Sequence, residues 1–171
     1  MGDILIWMDT RWVDVNEIEV SRVVEQPPVA VFPVLWDFEG YPAYSTYLEA
    51  VNQVEVDGQQ PTYALQFAWW RLSYETRTRV LDLDPPHVIE WEVTSDLDAS
   101  GAWTVAESAT AASRLTLRIQ YDADSLTGGS VSLPFGVSLE WVREKVEPMI
   151  RREANRVLDR IATDLESEHA S

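Results

Sequence analysis

Between residues 139 and 166 the apolar positions recur at intervals of three and four: Leu139, Val142, Val146, Met149, Ile150, Val157, Leu158, Ile161 and Leu165. That spacing places them on one face of a helix, a face that has to be buried. The other face carries Arg143, Glu144, Lys145, Arg151, Arg152, Glu153, Arg156, Asp159, Arg160 and Asp164, which reads as a solvated surface with opposite charges a turn apart. At 1.5 Å per residue such a helix is roughly 40 Å long and needs a broad apolar partner. Pro148 cannot donate to the helical ladder and crowds the preceding turn, so a kink or short break is expected near Glu147.

Upstream the period is mostly two. In 17–25, Ile18, Val20 and Val24 alternate with acids, and Arg22 shares the inward face against the trend. Pro27 and Pro28 end that strand. Val29, Phe32, Leu35 and Trp36 then fall at helical spacing, with Gly40 as a plausible stop. Tyr41, Tyr44, Tyr47 and Leu48 suggest a second short helix after Pro42. From residue 51 the alternation returns, predicting strands over 51–56, 62–70, 72–83, 87–95, 99–107 and 114–122, with turns at Asp57-Gly58 and Asp84-Pro85-Pro86. Ile89, Trp91 and Val93 set against Glu90, Glu92 and Thr94 show the one-side-wet pattern of antiparallel sheet. Seven strands apart from the helices give an α+β class, a curved antiparallel sheet gripping one long helix. Residues 17–168 form one domain and 1–16 an extension. Residues 123–134, rich in Gly and Ser, form the longest loop.

With 171 residues, 46% hydrophobic and 11% aromatic content and eight Trp, the chain has material for a sizeable core. Acids outnumber bases 29 to 13, a net charge of −16, which repels phosphate backbones and anionic lipid surfaces. Nucleic acid is therefore not an expected partner, and stable membrane insertion is not expected either, because no apolar run reaches the roughly 18 residues a span requires. The acids are dispersed and Lys145 is the sole lysine, a balance that resembles halophilic proteins adapted to high salt. With no cysteine, disulfides and thiolate chemistry are excluded. The N-terminus lacks a basic flank and does not read as a secretory signal, so a cytoplasmic protein is expected.

The segment VFPVLWDFEGYPAYSTYL, with Val31, Phe32, Asp37, Glu39, Tyr41 and Pro42, resembles the helix-turn segment of the SRPBCC superfamily, the START and birch-pollen-allergen-like helix-grip fold. It is similar in particular to the polyketide cyclase/dehydrase and coenzyme Q-binding branch, as is the strand-turn-strand stretch YETRTRVLDLDPPHVIEWEV. The resemblance extends over about residues 17–166. It implies a deep apolar cavity between sheet and helix. Members of the superfamily bind or carry sterols, lipids, isoprenoid quinones or polyketide intermediates, and some are cyclases or hydrolases. Fold membership alone does not decide between these.

The chemistry-bearing residues are sparse. His87, at a strand entrance, and His169, in the tail, read as surface residues, and two distant histidines without a thiol make no zinc site. No catalytic residue, metal or cofactor is expected. Phe67, Trp69, Tyr74, Trp91, Trp103 and Tyr121 come from five strands and should line the concave face opposite the helix. Trp36, Tyr44 and Met149 from the helical segments complete that candidate ligand-binding wall. Tyr74, Thr76, Thr78 and Arg22 are candidates to orient a polar head group, with a ligand oxygen or Glu39 as the partner of Arg22 if it is buried, or water if it lies at the sheet edge. The expected function is binding or transport of a hydrophobic small molecule; the alternative is a cyclase or dehydratase in which Tyr74 or an inward carboxylate acts as acid or base. The oligomeric state is left open.

Overall fold

The structure, a computed structural model, describes residues 15–57, 60–69, 72–94, 98–122, 144–145 and 147–170. Seven strands are present: β1 (Val15–Val24), β2 (Leu48–Asp57), β3 (Gln60–Trp69), β4 (Leu72–Asp84), β5 (Val88–Val93), β6 (Ala99–Glu107) and β7 (Ser113–Asp122). They form one antiparallel sheet in the order β1-β7-β6-β5-β4-β3-β2. Between β1 and β2 lie helix α1 (Pro28–Trp36) and a 3-10 turn (Phe38–Ala43), and after β7 comes the helix α2 (Glu147–Ala170). This is the helix-grip arrangement.

Alternation of buried and exposed positions along a strand fixes its place in the sheet, as β4 shows. Thr76, Thr78 and Val80 of β4 face inward and are buried, while Glu75 and Arg77 are exposed. A one-residue slip would reverse every one of these positions. Register shifts interrupt the pairing of β2 and β4, between Leu48 and Ala50, Gln53 and Glu55, and Val80 and Asp82, and irregularities of this kind bend a strand and increase its twist. The inward residues Val20, Val24, Val80, Ile89, Val105 and Leu115 join Leu158, Ile161 and Leu165 of α2 in one apolar cluster.

The helix α2 lies along β1. Gln26 Nε2 donates to Leu165 O at 3.2 Å, the Glu25 N–H donates to Glu166 Oε2 at 3.3 Å, and Arg22 pairs with Asp159. Arg22 thus shares the inward face of β1 as expected. Its partner, however, is a helix carboxylate and not Glu39, because the charged flank of α2 reaches the edge strand before the cavity begins.

Three local expectations are corrected. The apolar stripe of α1 is Pro28, Val31, Phe32 and Leu35, all buried, and Val29 is 69% exposed. The stripe thus begins one residue earlier, at the spacings of three, four and seven that a helix requires. The same helix ends at Trp36 and not at Gly40. The second short helix is a 3-10 turn that starts at Phe38, ahead of Pro42, and Leu48 already belongs to β2. Proline disfavours the α conformation in the residue before it, so Tyr41 cannot seed a continuing α-helix.

Helix α2 is described from Glu147, with Pro148 as its next residue, and residues 144 and 145 just before it are π-helical; residue 146 between them lies outside the described residues, and the break expected near Glu147 falls there. Residues 139–143, part of the expected long helix, lie outside the described residues, as do the loop 123–134 and all but the last two residues of the extension 1–16.

Candidate functional site

The concave face of the sheet and α2 do not close completely on each other. Between them is a cavity of about 250 Å³. Leu48, Val51, Leu65, Phe67, Trp91 and Trp103 build its sheet side, with Leu117 and Ile119. Met149, Ile150, Glu153, Ala154, Val157 and Ile161 supply its helix side, and Phe38, Tyr41, Ser45 and Tyr47 close one end. An apolar cavity of roughly 150 Å³ stays dry and takes up benzene, so this one has room for about two fused rings.

The aromatic wall is held by its neighbours. Phe38 packs edge-on to Tyr63 at 4.8 Å and Tyr41 edge-on to Trp103 at 6.4 Å between ring centroids. The Tyr41 hydroxyl donates to Leu35 O, which satisfies the phenol in an apolar setting. Burial pushes the Tyr41 phenol well above its ordinary value; a hydrogen bond with Trp103 pulls the other way, and the negative charge of Asp37 adds to the rise. Tyr63 is also raised, by burial first and then by Glu39 and Asp37. Both phenols stay neutral at physiological pH.

Trp91 lies across Gly101, its partner on β6. A Cβ built on Gly101 would stand 2.3 Å from Trp91 Cζ2 and 2.5 Å from the Arg118 carbonyl oxygen. The absent side chain is what lets the indole come this close to β6.

One ionisable side chain enters the apolar lining. Glu153 stands on the row Met149, Glu153, Val157 and Ile161, each four residues from the last and all lining the cavity. It is 8% exposed. Its Oε1 accepts a hydrogen bond from the Thr46 N–H at 3.0 Å and lies 3.7 Å from Arg160 Nη1. Its Oε2 is buried without a hydrogen bond, and Arg156 Nη1 is 3.7 Å away. A buried acceptor left unmade costs about 1–3 kcal/mol, more when charged. The same helix face clasps the segment that closes the cavity: Arg160 Nη1 donates to Tyr44 O at 2.8 Å, and the Tyr44 hydroxyl donates to Asp164 Oδ2 at 2.6 Å.

Of the residues singled out from sequence, Phe67, Trp91, Trp103, Met149 and Thr78 line the cavity. Tyr121 is buried in a separate cluster with Ile18 and Ala99, and its hydroxyl donates to Glu147 Oε2 at 2.6 Å. Trp36 packs on Phe38 outside the lining, Tyr44 is engaged with α2, and Arg22 is paired with Asp159 at the sheet edge. Thr76 is buried next to the lining, and Tyr74 has a buried hydroxyl without a hydrogen-bond partner, away from the cavity. The Trp69 side chain lies outside the described residues. Sequence reasoning missed Phe38, Tyr41, Tyr47 and above all Glu153, which it assigned to the wet face of the helix. Its place in the row of four-residue steps was the available signal.

Among the described residues no group of three or more His, Cys, Asp or Glu is placed to hold a metal. Nor is any described helix long and apolar enough to cross a membrane.

A seven-stranded antiparallel sheet around a C-terminal helix, with an apolar cavity between them, defines the START-like helix-grip class, the SRPBCC superfamily. Within it the chain belongs to the polyketide cyclase/dehydrase and lipid transport family, which matches residues 16–166. Among solved structures the chain is similar to the Zhui aromatase/cyclase from Streptomyces sp. R1128, with 20% identity and a TM-score of 0.72 over 89% of this chain and 94% of that one. It is similar to a norcoclaurine synthase point mutant from Thalictrum flavum, with 14% identity and a TM-score of 0.62 over 92% and 97% of the two chains. A START superfamily protein from Mycobacterium smegmatis gives 15% identity and a TM-score of 0.58 over 89% and 95%. At these identities the likeness is one of fold. No curated protein sequence matches the chain.

Proposed function

We propose that this protein binds or carries a hydrophobic small molecule, of lipid, isoprenoid quinone or polyketide-like chemistry, in the cavity between the sheet and α2. The observation that carries this reading is the cavity itself, about 250 Å³ walled by Phe67, Trp91, Trp103, Tyr41 and the aliphatic row of α2. A concave, almost wholly apolar surface of this size exposes side chains that gain by leaving water. A ligand that fills it covers that surface and adds contacts to it. The deciding experiment is native mass spectrometry in a volatile, high-ionic-strength buffer, followed by solvent extraction of whatever is released. A stoichiometric apolar molecule supports the carrier reading; a folded protein that arrives empty and takes up no apolar probe overturns it.

A second reading is favoured by one observation, the carboxylate of Glu153 among apolar walls. In a cyclase or dehydratase acting on a polyketide-like substrate, a carboxylate there can take the acidic proton between two carbonyls. Turnover of a short polyketone that disappears in Glu153→Gln would establish this reading, and a folded protein inert toward such ketones would remove it. The exposed carboxylates on the outer strand faces, such as Glu17, Glu19 and Glu90, support a halophilic setting in which screening suppresses self-repulsion.

A further inference from the structure

We infer that residues 44–47, the stretch between the 3-10 turn and β2, form a strap that gates the cavity and is latched shut by side chains of α2. It sets how fast a ligand enters and leaves. The inference rests on the proposal that the cavity binds an apolar molecule, and adds the route by which that molecule passes.

A ligand enclosed between sheet and helix needs a way in. The strands that line the cavity, β2 to β7, are joined edge to edge by backbone ladders. On the β1 side α2 is seated in packed core, and among the described residues β1 contributes none to the lining. The strap differs on both counts. Ser45 and Tyr47 line the cavity, while Tyr44 and Thr46, which alternate with them, bond to α2.

The two ends of the strap are tied to main chain. The Tyr44 and Ser45 N–H groups donate to Tyr41 O at 2.8 and 3.2 Å, and Tyr47 O accepts from the Ala68 N–H at 2.8 Å. Between these hinges α2 holds it. Arg160 Nη1 donates to Tyr44 O at 2.8 Å and to Thr46 Oγ1 at 3.4 Å, the Tyr44 hydroxyl donates to Asp164 Oδ2 at 2.6 Å, and Glu153 Oε1 accepts from the Thr46 N–H at 3.0 Å. Arg160 and Asp164 are exposed, so water competes for their bonds and each contributes little. An irregular segment held by such bonds belongs to the low-stability end of a fold, the part from which lids are drawn.

Glu153 biases the latch. With the strap down, its Oε2 is sealed off without a hydrogen bond among the described residues, and Arg156 and Arg160 at 3.7 Å supply charge but no bond. Lifting the strap admits water to that carboxylate. The closed state is thus held by a few weak bonds and carries one unmade acceptor, which keeps the open state within reach.

The test follows 2-fluoronaphthalene, naphthalene carrying one fluorine, in the full chain: calorimetry gives its affinity, and fluorine magnetic-resonance exchange spectroscopy gives its entry and exit rates. Tyr44→Phe removes one latch bond and no lining group. It is expected to raise both rates together by about fivefold, the factor that a bond of about 1 kcal/mol represents, with affinity unchanged within about twofold. The chain has no cysteine, so a Thr46→Cys, Arg160→Cys pair can be joined by a short bis-methanethiosulfonate and released by reductant. The bridge is expected to slow exchange at least about tenfold, as a closed lid does, and reduction to restore it. Rates left unchanged by Tyr44→Phe or by the bridge overturn the inference. So does an exit rate that rises alone with affinity lost in proportion, because the strap is then a piece of wall and not a gate. Failure of 2-fluoronaphthalene to bind the unaltered protein overturns the cavity reading itself, and the inference with it. Tyr44→Phe is decisive even if the cysteine pair does not fold.

Discussion

Replacing Gly101 by alanine adds one methyl group on β6 directly against Trp91, a residue of the cavity wall. The new Cβ would stand 2.3 and 2.7 Å from Trp91 Cζ2 and Cη2, and 2.5 Å from the Arg118 carbonyl oxygen. The indole can move, but the carbonyl belongs to β7 and is fixed by its pairing with β6, where Arg118 faces Ala102. Overpacking of this kind costs about 1–3 kcal/mol. Alanine also restricts the unfolded chain, which offsets about 0.4–1 kcal/mol. The net destabilisation is about 1–2 kcal/mol, which for a chain of this length lowers the melting temperature by about 4 °C. Thermal melts followed by far-ultraviolet circular dichroism read this directly. Displacement of Trp91 also shifts the tryptophan emission and weakens naphthalene uptake. A melting temperature equal to or above that of the parent, with unchanged emission, would refute the close approach of the indole to the strand.

Leu158→Ala, at a position 1% exposed, removes a core anchor of α2 and should cost about 2–5 kcal/mol in urea unfolding; a loss under 1 kcal/mol would mean that α2 is not seated in the core. Arg22→Ala, by contrast, breaks a pair whose side chains are 39% and 58% exposed, so stability should change by less than about 1 kcal/mol and ligand affinity not at all. A large loss of affinity there would return Arg22 to the site. Tyr41 and Tyr63 have folded-state values raised above 10.0. The unfolded chain therefore loses those protons first, and the stability they confer, complete below about pH 10, declines as pH rises beyond it; phenolate absorbance titrating wholly at the ordinary value would contradict their burial. Trp91→Ala and Trp103→Ala should each weaken ligand uptake more than Trp7→Ala, and equal effects would count against the cavity as the binding site.

The sheet was legible where a strand has one wet face: Ile89, Trp91 and Val93 cannot exchange places with Glu90, Glu92 and Thr94 without burying charge. The seat of α2 was legible for the same reason. What sequence could not supply was the exception inside a pattern. Residue type argued that Glu153 faces water, while its position between Met149 and Val157 argued that it faces inward, and position prevailed because Arg160, Arg156 and the Thr46 N–H gather around it. Arg22 posed the same conflict and was resolved at the sheet edge, where Asp159 was available but could be found only once α2 had been laid on β1. Around Pro42 the tyrosine spacing imitates an α-helix, yet the chain is forced into a 3-10 turn by the proline itself. Phe38 and Tyr41 join the cavity through that turn, which no periodicity announces.

The order β1-β7-β6-β5-β4-β3-β2 has a consequence in time. Five of the six strand pairings join neighbours in the chain and can form as successive hairpins, beginning with β2 and β3. The remaining pairing joins β1 to β7, so that Gln120 bonds to Glu17 across 103 positions of sequence. During synthesis β1 emerges first and finds its partner last, carrying Val20 and Val24 without the cover that β7 and α2 will give them. Closing so long a loop slows folding, and a waiting apolar strand is where aggregation begins. The acids at Glu17 and Glu19, which alternate with those apolar positions, serve as gatekeepers on the nascent strand. A chain whose cavity depends on its last helix is thus kept in solution by charges placed near its beginning.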